Sequence, residues 1–376
     1  MKKMFASLLA LSLVLVGCGG GKEKTDNTTT NDDGKKEIIM LTDKGTIDDK
    51  SFNQGTYEGV KAYADKNGKT YTYIKPVDAT DDEYKNSIDQ AVKKGAKIIV
   101  TPGYLFEPAI YAKQTEYKDV KFILIDGYPN DGDQKKAKFN TEKNAIGIKF
   151  QEEQSGYLAG YAAVKEGHTK LGFMGGMAVP AVMSFGYGYV QGANDAAKEL
   201  GVEVTMNYHY TGDFKATPEV QNTAASWYKS GITCIFGCGG AVGNSVMAAA
   251  EKANPVGAVI GVDVDQSSES KTVMTSAYKQ LSNAVSDALE AIYSGDFDKT
   301  ADESIVFRGG QNIVLGAAND AIGLPMDTST FKKFTKADYD KVYQTIKDGK
   351  VTIKNYQAGD DVKVLNADKV KVNFIK

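Results

Sequence analysis

From Glu37 onward, short apolar runs alternate with stretches whose apolar residues recur at helical spacing. Ile38 to Leu41, Tyr71 to Val77, Ala96 to Gly103 and Val120 to Gly127 have the length and composition of strands. Between them, Tyr57, Val60 and Ala64 share one helix face, and Tyr84, Ile88, Ala91 and Val92 another. Thr80-Asp81-Asp82-Glu83 reads as a capping box before the second of these helices. A third helix is predicted from about Phe106, and Asn144 to Phe150 is a further strand. In the helix expected after it, Gly156 and Gly160 lie four apart beside Ala159 and Ala163. Such small residues permit close packing, as a helix crossing between two lobes would need.

The alternation then restarts. Thr169 to Gly176 is a strand running into a long Gly-rich loop (MAVPAVMSFGYGY) that ends in a helix. Val202 to Gly212 follows, then a helix opened by Thr217-Pro218. Ile232 to Gly240, a helix from Ala241, Val256 to Gln266 and Lys271 to Lys279 continue the series. Leu281, Ala284, Val285, Ala288, Leu289 and Ile292 mark one more amphipathic helix. The stretch from Ser304 to Asn319 reads as a last strand pair, followed by an edge helix near Lys336 to Gly349. Alternation of this kind predicts parallel sheets covered by helices on both faces. Two sets predict an α/β protein of two doubly wound lobes with a ligand cleft between them. One lobe is expected from 37–150 plus about 265–298, the other from 151–264 plus about 299–376.

The first 36 residues do not fit either lobe. Lys2 and Lys3 precede an apolar core, Met4 to Val16, that is shorter than the roughly 20 residues a spanning helix needs. It has the form of a signal peptide over 1–18. Its end, Leu15-Val16-Gly17-Cys18, matches a bacterial lipobox, which predicts a lipid anchor on Cys18 and a location at the cell membrane. Residues 19–36 contain no apolar side chain and are expected to form a disordered tether. Of 376 residues in total, 42% are hydrophobic and 25% charged, ordinary values for a globular protein. A net charge of -3 argues against a nucleic-acid partner. Cys234 and Cys238 share one apolar run, which if extended holds their Cα atoms roughly 13 Å apart. That is beyond the reach of a disulfide, so they are expected to be small buried hydrophobes. With His168 and His209 as the only histidines, no spacing suggests a metal, and none suggests a cofactor.

Candidate chemistry sits at the strand ends. Asp43, Asp126 and Asp263 each close an apolar run, as do Gly176, Gly239 and Gly240. In open α/β sheets, ligands bind outside the carboxyl ends of the strands, where a carboxylate can hold paired hydroxyls. Lys279 ends another run and can reach the same place. In the first such loop, Thr42 to Tyr57, Phe52 lies between Ser51 and Asn53 at a helix start. Phe52 is therefore either a stacking platform for a planar ligand or a staple for a helix capped by Asp49 or Ser51. Phe185 is its counterpart in the second lobe; both rings are either platforms or core. No G-x-G-x-x-G, P-loop or G-x-S-x-G motif is present, and neither histidine neighbours a nucleophile, so binding is expected rather than catalysis.

TDKGTIDDKSFNQGTYEG, LIDG, FMGGMAVP…SFGYGYVQG, FGCGGAVGNSV, GVDVDQ and TSAYKQ occur in an order that resembles the basic membrane protein (BMP), or PnrA-like, lipoproteins. The resemblance covers nearly all of the chain after Cys18. It implies a type I periplasmic-binding fold with three crossovers, and a monomer that captures nucleosides, purine nucleosides favoured, for an ABC permease. It further implies that Phe52 and Phe185 stack on the base and that Asp43, Asn53 and Asp126 read its polar edge. Asp263 and Lys279 would hold the ribose, and Gly239 and Gly240 would let the backbone approach. A sugar-binding protein of the same fold and a signalling or adhesion lipoprotein are the alternatives.

Overall fold

The computed structural model describes residues 34–133, 135–357, 365 and 367–375. The signal peptide, Cys18 and the tether up to residue 33 lie outside the described residues. At the tether's end, the Lys36 amide already donates to the carbonyl of Lys94.

In chain order, the first half comprises β1 (Ile38–Leu41), α1 (Phe52–Asn67), β2 (Tyr71–Ile74), α2 (Asp81–Lys93), β3 (Ile98–Pro102), α3 (Glu107–Glu116), β4 (Lys121–Ile125) and β5 (Ala145–Phe150). Then come α4 (Glu152–Glu166), β6 (Lys170–Gly175), α5 (Pro180–Leu200), β7 (Val204–Tyr210), α6 (Pro218–Lys229), β8 (Cys234–Cys238), α7 (Val242–Lys252) and β9 (Ala258–Asp263). The chain ends with β10 (Val273–Lys279), α8 (Leu281–Ser294), β11 (Gln311–Leu315), β12 (Ile322–Gly323), α9 (Lys336–Lys347) and β13 (Val370–Phe374). The strands form two sheets. One is six-stranded, in the order β11-β5-β4-β3-β1-β2, and its pairs are all parallel. The other is seven-stranded, β12-β10-β9-β8-β6-β7-β13, and only the short β12 runs antiparallel. Central strands such as β1, β3 and β8 are buried at every position, as sheets covered on both faces require.

The expected lobe boundaries need correction. Residues 265–298 do not all join the first lobe, because β10 pairs with β9 in the second sheet. Nor do residues 299–376 all join the second, because β11 pairs with β5. The chain passes between sheets after Phe150, after Lys279 and after Leu315. Periodicity identifies a strand but not its neighbour. The expected strand pair in the tail is likewise one strand, β11.

Glycines fix how α4 and α5 meet. A Cβ on Gly156 or Gly160 would stand 2.1 Å from the carbonyl oxygens of Phe185 or Tyr189. One on Gly188 or Gly192 would stand 1.9 Å from those of Glu153 or Tyr157. Both helices thus present glycine to the other's backbone, which brings the axes close and makes the small-residue stripe a helix seam. The seam also corrects the reading of residues 177–189 as a loop: Pro180 opens α5, its fixed φ suiting a first helical turn. Phe185 therefore stands on a rigid helix.

Candidate ligand-binding site

Between the carboxyl ends of the two sheets lies a cleft. Every predicted ligand-binding residue lines it: Asp43, Phe52, Asn53, Asp126, Phe185, Gly239, Gly240, Asp263 and Lys279. Sequence reasoning did not single out Tyr104, Met177, Val182 or Phe214, which also line it. An aromatic in the polar loop after β7 was a usable signal for Phe214, of the same kind that marked Phe52.

The first lobe's contribution is organised by Asp49. Its carboxylate accepts hydrogen bonds from the backbone N–H of Ser51, Asn53 and Gln54, satisfying the start of α1. Asp49 thereby caps the helix, and Ser51 is free for another partner. Its Oγ reaches across to the second lobe and donates to Asp263 Oδ2. Asn53 differs from expectation. Its Nδ2 donates to Asp43 Oδ1 and to Asp49 Oδ2, while its Oδ1 accepts from the Asp43 amide. An amide has two N–H bonds, and both are spent on carboxylates. Asn53 therefore orients Asp43 and has no donor left for a base. Burial pushes the Asp43 carboxyl up to about 6, against hydrogen bonds from Gly45 and Asn53 and with repulsion from Asp49 and Asp263.

Asp126 follows β4 and Asp263 ends β9, both with left-handed backbones, φ of 56° and 68°. Aspartate tolerates this region better than most non-glycine residues, but the conformation still has a cost. Its effect here is to turn both carboxylates onto one ammonium. Lys279, 3% exposed, bonds Asp126 Oδ2, and its Nζ lies 3.4 Å from Glu152 Oε1 and 3.6 Å from Asp263 Oδ1. The same Nζ stands 4.7 Å from the ring centre of Phe52 and 5.6 Å from that of Phe185. The two predicted platforms thus flank one point from opposite lobes. Asp126 Oδ1 is buried without a partner, an open acceptor inside the cleft. Burial holds the Asp126 carboxyl above its ordinary range, and Lys279 opposes the rise.

Gly239 and Gly240 have φ of 124° and 51°, which a side chain would oppose. The room beside them is occupied by Phe214: a Cβ on Gly240 would lie 2.9 Å from the Phe214 Cβ. Their immediate effect is to let that ring into the cleft wall. Cys234 and Cys238 are free and buried, as expected. His168 pairs with Thr233 and His209 with the Ile375 carbonyl, and neither lines the cleft.

Comparison with known proteins agrees with this geometry. The model of a family described as ABC transporter substrate-binding protein PnrA-like matches residues 36–360. A Lactococcus lactis protein described as ABC transporter nucleoside-binding protein BmpA is 28% identical, the match covering 94% of this chain and 99% of that one. Basic membrane protein B of Borreliella burgdorferi is 30% identical over 77% of this chain and 81% of its own. Among solved structures, a solute-binding protein of an ABC transporter system from Aeropyrum pernix superposes with a TM-score of 0.73 at 20% identity. That superposition covers 87% of this chain and 95% of the other. It supports the two-lobed solute-binding fold.

Proposed function

The chain belongs to the Bmp family of PnrA-like ABC transporter substrate-binding proteins, and we propose that the ligand its cleft captures is a nucleoside. One observation carries this reading. Phe52 and Phe185, from opposite lobes, flank a single point at which Asp126, Asp263 and Lys279 also converge. A planar base between the rings and a polyhydroxyl group against the charged cluster would use both features. In this reading Asp43, held by Asn53, and the open Oδ1 of Asp126 accept from the base, and Asp263 accepts from the ribose hydroxyls. The printed description of the Lactococcus relative, a nucleoside-binding protein, supports the same class.

The charge balance favours an uncharged ligand. Asp126 and Asp263 face the Lys279 ammonium, and Asp43 and Asp49 add two more carboxylates to the lining. Helix N-termini often hold phosphate, but that of α1 is filled by Asp49. A nucleotide would bring further negative charge beside these carboxylates. We further propose that a lipid on Cys18 holds the protein at the outer face of the cell membrane and that the partner is an ABC permease.

The test is a thermal-shift panel of purine and pyrimidine ribonucleosides, deoxynucleosides, nucleotides, free bases and pentoses, on protein refolded to remove carried-over ligand. Shifts confined to nucleosides are expected. Shifts with pentoses alone would replace this reading by a sugar-binding one. Asp263→Ala should cost ribonucleosides at least about tenfold in Kd, the loss of one strong hydrogen bond. Free bases should be affected little, and equal losses for both would remove the ribose assignment.

A further inference from the structure

Lys279 has three N–H bonds, and three carboxylates from three segments face them. Asp126 follows β4, Glu152 opens α4 and Asp263 ends β9. None of these acidic side chains is more than 8% exposed. Four ionised groups would leave two net negative charges in a space that a bound ligand would dry further. Holding one proton on a carboxylate is the cheaper state.

The contacts identify which carboxylate holds it. Asp126 makes the shortest contact with the ammonium. Asp263 lies 3.6 Å from the ammonium but accepts a hydrogen bond from Ser51 besides. Glu152 has the 3.4 Å contact with the ammonium and no such hydroxyl. Its own backbone N–H also favours the ionised form; the remaining groups around it are unfavourable or neutral. Glu153 follows it on α4, Asp126 faces it from β4, and Tyr128 and Cys238 approach from the loop after β4 and the end of β8. Lys149 acts on Asp126 and lies 3.6 Å from Glu107. Burial pushes the Glu152 carboxyl up to about 8; Lys279 opposes the rise, and Asp126 and Glu153 add to it.

We propose that Glu152 is a positioning residue of the ligand site that works in its protonated form. Neutral, it leaves the Lys279 ammonium to Asp126, Asp263 and the ligand; ionised, it competes for that ammonium and adds a buried charge that weakens capture. The inference rests on the nucleoside reading above. It gives the site a pH dependence with a definite sign. Affinity is level while Glu152 keeps its proton and falls as pH rises through its titration, by up to about tenfold per pH unit, the slope of one linked proton.

The experiment is calorimetric titration with adenosine, whose base does not titrate between about pH 6.5 and about pH 9.5, on wild type and Glu152→Gln. Wild type should bind progressively more weakly in the upper half of that range. Glu152→Gln should show a flat profile and bind more tightly than wild type at the alkaline end, a gain that a merely structural role would not produce. A level wild-type profile, or a variant with the wild-type slope, overturns the proposal. The infrared carbonyl band of a protonated carboxylic acid, followed from pH 7 to pH 9.5 as the difference between ligand-free wild type and Glu152→Gln, is a second readout, and the difference separates Glu152 from Asp43, Asp126 and Glu153, which burial also pushes up. The band's presence and loss over that range support the proposal, and its absence at pH 7 overturns it. Absence of adenosine binding at every pH would instead overturn the nucleoside reading, and the infrared titration would still decide whether Glu152 holds a proton.

Discussion

Replacing Lys279 by Met tests the charge arrangement of the cleft directly. The apolar stem of the side chain is kept and the ammonium is removed. Asp126, Glu152 and Asp263 are left facing one another, with little water to replace the lost cation. Breaking a buried ion pair by removing one partner costs about 3–5 kcal/mol. In a protein of this size such a loss lowers the Tm by roughly 4–7 °C. The loss should depend on pH. Lys279 is held above its ordinary range and stays charged throughout the accessible window, so the wild type keeps its contribution. In the variant, Asp126 and Glu152 lose that cation and their raised folded-state pKa values rise further. A carboxylate whose folded pKa is raised binds more protons in the folded than in the unfolded state. Its stability contribution then falls as pH rises from the unfolded pKa towards the folded one. The Tm deficit should therefore be smallest near pH 5 and largest near pH 8. Thermal melts of both proteins at pH 5, 6.5 and 8 provide the assay. A deficit of equal size at every pH would refute the reasoning. It would mean that the ammonium stabilises through its contacts with the rings of Phe52, Phe150 and Phe185 and not through the carboxylates.

Two further substitutions test the scaffold that presents the site. Gly156→Ala places a Cβ 2.1 Å from the Phe185 carbonyl oxygen, more than an ångström inside ordinary contact. Overpacking of this kind costs about 1–3 kcal/mol. It should also displace Phe185 and weaken ligand binding; an unchanged Tm and Kd would show that α4 and α5 separate without cost. Asp49→Ala removes the acceptor shared by the amides of Ser51, Asn53 and Gln54. A loss of about 0.5–2 kcal/mol is expected, with faster hydrogen exchange at those amides, and unchanged exchange there would remove Asp49 from the capping role.

Much of this cleft is legible in the sequence because strand ends are. Asp43, Asp126, Asp263 and Lys279 each follow or end an apolar run, and a parallel sheet brings such ends to one edge. What one chain's pattern does not carry is the pairing of strands. The stretch Gln311 to Leu315 has the form of a strand, but nothing in it names β5 as its neighbour, and the lobe boundaries shifted accordingly. Phe185 was legible as a candidate, whereas its helix was hidden by three glycines and a proline that suggest a loop in isolation. Those residues become helical because α4 supplies a backbone for them to pack against. Glu152 was hidden for a different reason. An acidic residue in a helix's first turn is already explained by the helix dipole, and only its placement beside Lys279 gives it another role.

Asn53 shows how placement can reverse a role that motif assigns. By position it is a reader of the ligand, since it lines the cleft beside Phe52. Its hydrogen bonds tell otherwise: both N–H bonds go to Asp43 and Asp49, and its oxygen goes to the Asp43 amide. The sharp turn of residues 43–53 is thereby tied to the start of α1, and the Asp43 carboxylate is fixed before any ligand arrives. Pre-arranging an acceptor removes its ordering cost from binding. The same logic covers Asp126 and Asp263, whose left-handed backbones set their carboxylates in place during folding. The cleft therefore meets its ligand with acceptors held by other protein groups rather than by water. It is suited to a molecule that brings hydroxyl and N–H donors and no negative charge, and the thermal-shift panel separates nucleosides from nucleotides on that ground.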